Sequence, residues 1–415
     1  MTTFGLAFLF VLGAATAIRL WLGTRHIAYV QAHRDAVPAQ FSSEVSLEAH
    51  QRAADYTSEK TRLALASVVV DTLLVLWLTF GGGVQRLYDA ASGWFDGEIA
   101  RGLALIGLVS VVTTLIELPL GLYRTFRIEA RFGFNKMTPA LYWIDFAKNT
   151  ALAIAFGLPL AACVLWLMQA AGDYWWLYAW CVWVVFNLFM LAIYPTWIAP
   201  LFNRFAPMQD PALKERVEKL LERCGFRVKG LMVMDGSKRS SHGNAYFTGF
   251  GKSKRIIFFD TLLARLTPSE VEAVLAHELG HFRLRHVAKR IVWIFAGSLA
   301  FLWLLDFVMH QDWFYAGLNV EARSTAVALV LFFLVVPSFT FLLQPLLSSY
   351  SRKHEFEADH YAAENASATD LASALVKLYK DNASTLTPDP VHSAFYDSHP
   401  PALARISRLQ EARHA

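Results

Sequence analysis

Seven runs of predominantly apolar residues, each long enough to cross a bilayer, leave few folds open to this chain. They lie at 3–23, 62–83, 100–123, 149–171, 174–198, 288–309 and 324–347. A hydrocarbon core of about 30 Å takes about 20 helical residues to span. Inside lipid only helices and closed barrels satisfy their own backbone hydrogen bonds, so runs of this length imply an all-α, polytopic membrane region. Composition agrees: 55% of the 415 residues are apolar and 17% are charged, against about 25% charged in ordinary soluble domains. The first run lacks the basic start and small-residue cleavage site of a signal peptide, and reads as a membrane helix.

The basic residues beside these runs orient the chain. Arg19, Arg25 and Arg34 follow the first run, Arg124, Arg127, Arg131 and Lys136 the third, and Arg204, Lys214, Arg216 and Lys219 the fifth. The links 84–99, 172–173 and 310–323 hold only Arg86 and Arg323. The positive-inside rule then places the amino terminus outside, and 199–287 and 348–415 on the cytoplasmic side. The implied organisation is a membrane region over 1–198, two halves of one catalytic unit at 199–287 and 348–415, and two further spans at 288–347 between them. The net charge of +4 makes no case for nucleic acid. Cys163, Cys181 and Cys224 lack metal or disulfide spacing and read as small hydrophobes in a reducing setting.

Within the polar segments, 24–61 contains SLEAHQRAADYTSEKTR, a polar stretch that reads as a juxtamembrane helix leading into the second span. DPALKERVEKLLERCGF alternates apolar and charged residues at helical spacing and stops at Gly225. Residues 229–235 and 255–260 look like strands, and SSHGNAYFTGFG (240–251) is a further strand or strand edge. Thr267, Pro268 and Glu270 form a capping box with proline at the first helical position, so a helix starts there.

That helix carries AHELGHFRLRH, with His277 and His281 four residues apart on one face, where two imidazoles reach one metal ion. Two neutral imidazoles and a carboxylate suit zinc, with a fourth position open for water. Glu278 lies about 100° round the helix and can take a proton from that water without ligating the metal. From composition alone, such a His-Glu-x-x-His pattern arises by chance about 0.03 times in a chain like this. A third ligand should come from a facing helix, and SSYSRKHEFEADHYAAENA supplies Glu355 as ligand. Asp359, one turn on, is placed to fix the tautomer of a ligating imidazole. Glu357 points elsewhere, solvated or paired. Asp71, Glu117 and Asp306 sit inside membrane runs, where a hydrated cavity and helix-to-helix hydrogen bonding explain them equally well. DYWWLYAWCVW reads as an interfacial aromatic belt.

These residues resemble the type I CAAX prenyl proteases, integral-membrane zinc metalloendopeptidases. The likeness runs through HQRAADYTSEKTR, RFGFNKMTP, YPTWIAPLFNRF, HGNAYFTGFG, AHELGHFRLRH, SRKHEFEADHYA and SHPPALARI. The resemblance implies about seven membrane helices forming a barrel around a water-filled chamber, with a gluzincin-like α+β zinc-protease unit. It implies one Zn2+ per chain on His277, His281 and Glu355, Glu278 as catalytic base, and Asp359 supporting the site. By the same likeness Asn244 looks like a contact to the substrate backbone, His399 the oxyanion donor, and Arg405 a neighbour on the substrate side. Read by themselves, Asn244 next to Gly243 is more often a turn residue, and His399 before two prolines equally ends a helix. The implied activity releases the last three residues of prenylated proteins. Partners would be a peptide or protein substrate, possibly prenylated, and the bilayer, with the chain acting as a monomer. EARHA carries no ER-retention signal, which favours a bacterial inner membrane over the ER. Competing readings are a quality-control membrane protease of the heat-shock type, and a zinc-binding transporter, which leaves Glu278 unexplained.

Overall fold

In a computed structural model that describes residues 2–248 and 255–412, seven helices are long and apolar enough to cross a membrane. They are Thr3–Ala32, Leu47–Leu78, Glu98–Glu129, Pro139–Ala170, Gly172–Phe202, His286–Met309 and Thr325–Asn365. The apolar runs are the centres of longer helices. A 32-residue helix such as Leu47–Leu78 is about 48 Å long at 1.5 Å per residue, well beyond the lipid core. That helix starts early because Ser46 caps it, accepting the Ala49 N–H. It stops at Leu78, before the predicted end at 83, because Gly82 turns the chain at φ +71.

Each span packs on its neighbours in sequence, and the seventh returns to the first, so the spans close a ring. The apolar core of that ring is gathered at one end. Phe8, Leu78, Leu105, Leu165, Trp175, Leu305 and Val327, one from each span, are buried together there. Toward the other end this shared core gives out, and cavities open beside the spans. One of about 720 Å3 is lined by Asp145, Asn149 and Arg239, and one of about 390 Å3 by Lys60, Asn382 and His399. Large apolar side chains such as Trp21, Val111, Trp197, Trp293 and Phe333 are left exposed, as lipid requires. Asp306 accepts the Trp175 indole N–H at 2.6 Å, so helix-to-helix bonding accounts for this intramembrane acid.

At the open end sits a four-stranded sheet in the order β1-β2-β4-β3. β1 is Phe205–Pro207, β2 Gly230–Met234, β3 Ala245–Thr248 and β4 Arg255–Phe259. β2 and β4 run parallel, and β3 lies antiparallel to β4 at the edge. The last residues of the expected strand at 240–251 lie outside the described residues. One hydrophobic core draws Leu213, Val217, Ile256, Phe258, Leu275 and Leu279 from before spans six and seven, and Ala362, Leu371, Leu375 and Leu409 from after them.

Two helices position the chemistry. Pro268–Arg283 begins at the capping box read from the sequence: Thr267 accepts the Glu270 N–H, and Glu270 accepts the Thr267 N–H. Glu270 also accepts from Ser373 at 2.7 Å and Lys377 at 2.8 Å. Burial alone would raise its pKa, but the bonds from Lys377, Thr267 and Ser373 hold its carboxyl below the usual range. The partner helix, Gln344–Asn365, continues span seven through a single tight turn at Phe341–Leu343. The two cross where Gly280 has no side chain. A Cβ there would lie 3.0 Å from the Ala358 Cα and 3.2 Å from the Tyr361 Cβ. Gly280→Val should therefore force the helices apart and cost roughly 1–3 kcal/mol, read as a lowered thermal midpoint. Gly297→Ala, where a Cβ meets nothing within 4 Å, should leave that midpoint in place.

Candidate metal centre and active site

The His277 and His281 rings, four residues apart on Pro268–Arg283, face Glu355 of Gln344–Asn365. His281 Nε2 lies 3.3 Å from His277 Nε2 and 3.4 Å from Glu355 Oε1, and His277 Nε2 lies 3.5 Å from Glu355 Oε2. Zinc bonds of about 2.0–2.1 Å at tetrahedral angles set ligand atoms about 3.3 Å apart, so the trio has the right spacing for one ion. Glu355 is buried, and its Oε2 has no hydrogen-bond partner. A buried carboxylate oxygen left without a donor needs a cation. The surrounding charge agrees: Glu278, Glu355 and Asp359 gather around Arg405, whose Nη1 lies 3.9 Å from Glu355 Oε2 and whose Nη2 lies 2.6 Å from Asp359 Oδ1. The residues fit a divalent metal.

Both imidazoles are oriented from behind. His277 Nδ1 lies 2.8 Å from Asp359 Oδ1, so the ring donates there and turns its Nε2 lone pair to the pocket. Asp359 in turn accepts from Arg405 Nη2 at 2.6 Å and Nε at 2.9 Å. Burial disfavours charge on His277, but the Asp359 and Glu355 carboxylates outweigh it, so this position draws positive charge, from a proton or from a metal ion that takes its place. Burial pushes the Glu278 carboxyl up, opposed by the neighbouring histidines.

The remaining predicted residues fall in three different settings. His399 projects its Nε2 to 3.5 Å from Glu355 Oε2, and its Nδ1 lies 3.0 Å from Ser398 Oγ. With the serine hydroxyl donating, His399 keeps its proton on Nε2, facing the pocket. Asn244 stands exposed at the entry to edge strand β3, its Oδ1 accepting the Ala245 N–H at 2.8 Å. Strand β3 reaches the site through Phe247, whose ring lies 4.8 Å from that of Phe282. Arg405, grouped with the substrate contacts by sequence, is 5% exposed with its guanidinium committed to Asp359. Its Nη1 also lies 3.9 Å from Glu355 Oε2.

Sequence reasoning missed two residues beside the metal pocket, His286 and His354, and named no partner for Glu357. His286 Nδ1 lies 2.9 Å from His281 Nδ1, His286 Nε2 lies 2.9 Å from Glu357 Oε2, and the His354 ring is stacked on His286 at 3.9 Å. The trailing histidine of AHELGHFRLRH was the available signal. Glu357 is paired.

A membrane-embedded helical ring that opens onto this cleft defines the molecule as an integral-membrane metallopeptidase. Residues 26–204 match the family model described as CAAX prenyl protease N-terminal, five membrane helices. Residues 207–413 match peptidase family M48. The chain is 34% identical to the CAAX prenyl protease 1 homolog of Oryza sativa subsp. japonica, across 91% of this chain and 90% of the relative. It is 32% identical to the Homo sapiens CAAX prenyl protease 1 homolog, across 90% and 88%. Its fold resembles the crystal structure of S. mikatae Ste24p with a TM-score of 0.91 at 29% identity, covering 99% of both chains. The chain belongs to the CAAX prenyl protease 1 family within peptidase family M48, and is a metalloendopeptidase.

Replacing Asp359 by Asn removes the carboxylate behind His277 and leaves Arg405 buried without its partner. Metal affinity, read by competition with a chelating dye, should fall 10–100-fold. A loss of less than twofold would contradict the support role.

Proposed function

We propose that this protein is a zinc endopeptidase that cleaves the carboxyl-terminal CAAX motif of prenylated proteins and releases the last three residues. The observation that carries the reading is the unpartnered buried Glu355 oxygen facing two imidazoles at tetrahedral ligand spacing. The names of the relatives, CAAX prenyl protease 1, support the substrate class.

In this reading His277, His281 and Glu355 hold the zinc. Bound there, zinc would lower the pKa of a water and polarise the scissile carbonyl. Glu278 takes the proton of the attacking water and returns it to the leaving amine nitrogen. His399 donates its Nε2–H to the carbonyl oxygen as negative charge grows on it. The free edge of β3, entered at Asn244, receives the substrate as an added strand through main-chain hydrogen bonds, which need no particular side chains. Basic residues flanking the open end put this face on the cytoplasmic side.

Glu278→Gln should lower kcat at least 100-fold while one zinc per chain is retained. The assay compares a farnesylated carboxyl-terminal peptide with its unprenylated twin in the purified protein. Faster cleavage of the farnesylated peptide supports the substrate class. Equal cleavage of both would remove prenyl specificity and leave the endopeptidase standing.

A further inference from the structure

We infer that His286 and Glu357 form a relay that orients His281 for the metal, so that the two imidazole ligands are anchored by two separate carboxylates. The inference rests on the zinc site proposed above and deepens it.

Once His281 ligates through Nε2, the contacts behind it set the tautomers of the two rings. His281 faces His277 and Glu355 with Nε2, so a neutral ligating ring carries its proton on Nδ1. That Nδ1–H meets His286 Nδ1 at 2.9 Å, which must accept. A neutral His286 then carries its own proton on Nε2, and donates it to Glu357 Oε2, again at 2.9 Å. The chain of donors runs from His281 through His286 to a carboxylate, as the shorter one runs from His277 to Asp359. Metal-ligating histidines are commonly backed by a carboxylate that sets the ring and raises its basicity. Here one of the two contacts is made through a second imidazole.

The fold holds His286 for this purpose from three sides. Arg285, at φ 57, takes the left-handed conformation between Pro268–Arg283 and span six. Side chains other than glycine adopt that conformation at a cost, which the surrounding structure must outweigh. The reversal lets His286, at the first turn of the new helix, face back to His281. His354, one residue before Glu355, lies parallel to His286 at 7° and 3.9 Å, fixing the plane of the ring. His286 and His354 are buried, while the Glu357 side chain is 35% exposed, with Lys353 Nζ 3.9 Å away.

His286, His354 and Glu357 also offer ligand atoms within 4.8 Å of one another. A second ion is disfavoured by the same geometry. Imidazoles stacked face to face direct their lone pairs in parallel planes, so these cannot converge on one ion. Both nitrogens of His286 are already committed.

The test uses the full-length, zinc-loaded protein in lipid nanodiscs, with zinc content and competition against a chelating dye as readouts beside turnover. His286→Leu should weaken zinc binding 10–100-fold. His286→Gln should recover most of it, because the amide oxygen accepts from His281 and the amide N–H donates to Glu357. Glu357→Gln, at the exposed end where folding is not at stake, should give a smaller loss in the same direction. Zinc affinity unchanged in both His286→Leu and Glu357→Gln would overturn the relay. So would a second zinc in the parent protein that His286→Leu removes without affecting the first. Should His277→Ala also keep its zinc, the metal site itself is misplaced, an outcome distinct from failure of the relay alone.

Discussion

The close crossing of Pro268–Arg283 over Gln344–Asn365, at the bare Cα of Gly280, is the contact on which the rest depends. It brings together two stretches of chain separated by two membrane spans. Each helix is joined to a span with almost no linker. The first meets span six after Arg285, and the second grows out of span seven through one turn at Phe341–Leu343. The positions of the proposed ligands are thereby tied to the packing of the ring, and a shift of these spans would be felt at the site. A zinc site tolerates little such movement, since its ligand bonds are fixed near 2.0–2.1 Å.

The ring divides its labour along its length. At one end, residues from all seven spans pack into a single core, with span seven packed against the first, third, fourth and sixth. At the other end the helices run on past the length a bilayer requires and carry the sheet and the catalytic helices. The packing shared by the spans is thus gathered at the end away from the site, while a second core under Leu275 and Leu279 holds the sheet and the two helices together at the other. The two carboxylate anchors behind the metal pocket differ in the same spirit. Asp359 is buried and locked by Arg405, whereas Glu357 reaches toward the surface.

Much of this was legible in the residues. A membrane span announces itself by composition, so the seven helices were readable. Their ends were not, because beyond the lipid an amphipathic juxtamembrane helix such as 47–61 continues the same hydrogen-bond ladder with a different composition. The capping box at Thr267 was readable because its chemistry is local. Glu355 and Asp359 were paired by their four-residue spacing, which puts both on one face. Glu357 lies two residues from Glu355, on another face, and spacing alone gave it no partner. Its partner is created by a left-handed arginine that no local rule predicts, swinging His286 back onto the metal helix. The pairing of Arg405 was hidden for a related reason: an arginine near a catalytic motif suggests substrate, and only the packed structure brings its guanidinium onto the buried Asp359.

The central claim is that His277, His281 and Glu355 hold one zinc ion. X-ray absorption at the zinc edge on the purified full-length protein tests it most directly. The account predicts two imidazole nitrogens and a carboxylate oxygen at about 2.0–2.1 Å, with the carboxylate signal lost in Glu355→Ala. A shell containing sulfur, or one unchanged by that substitution, would contradict it.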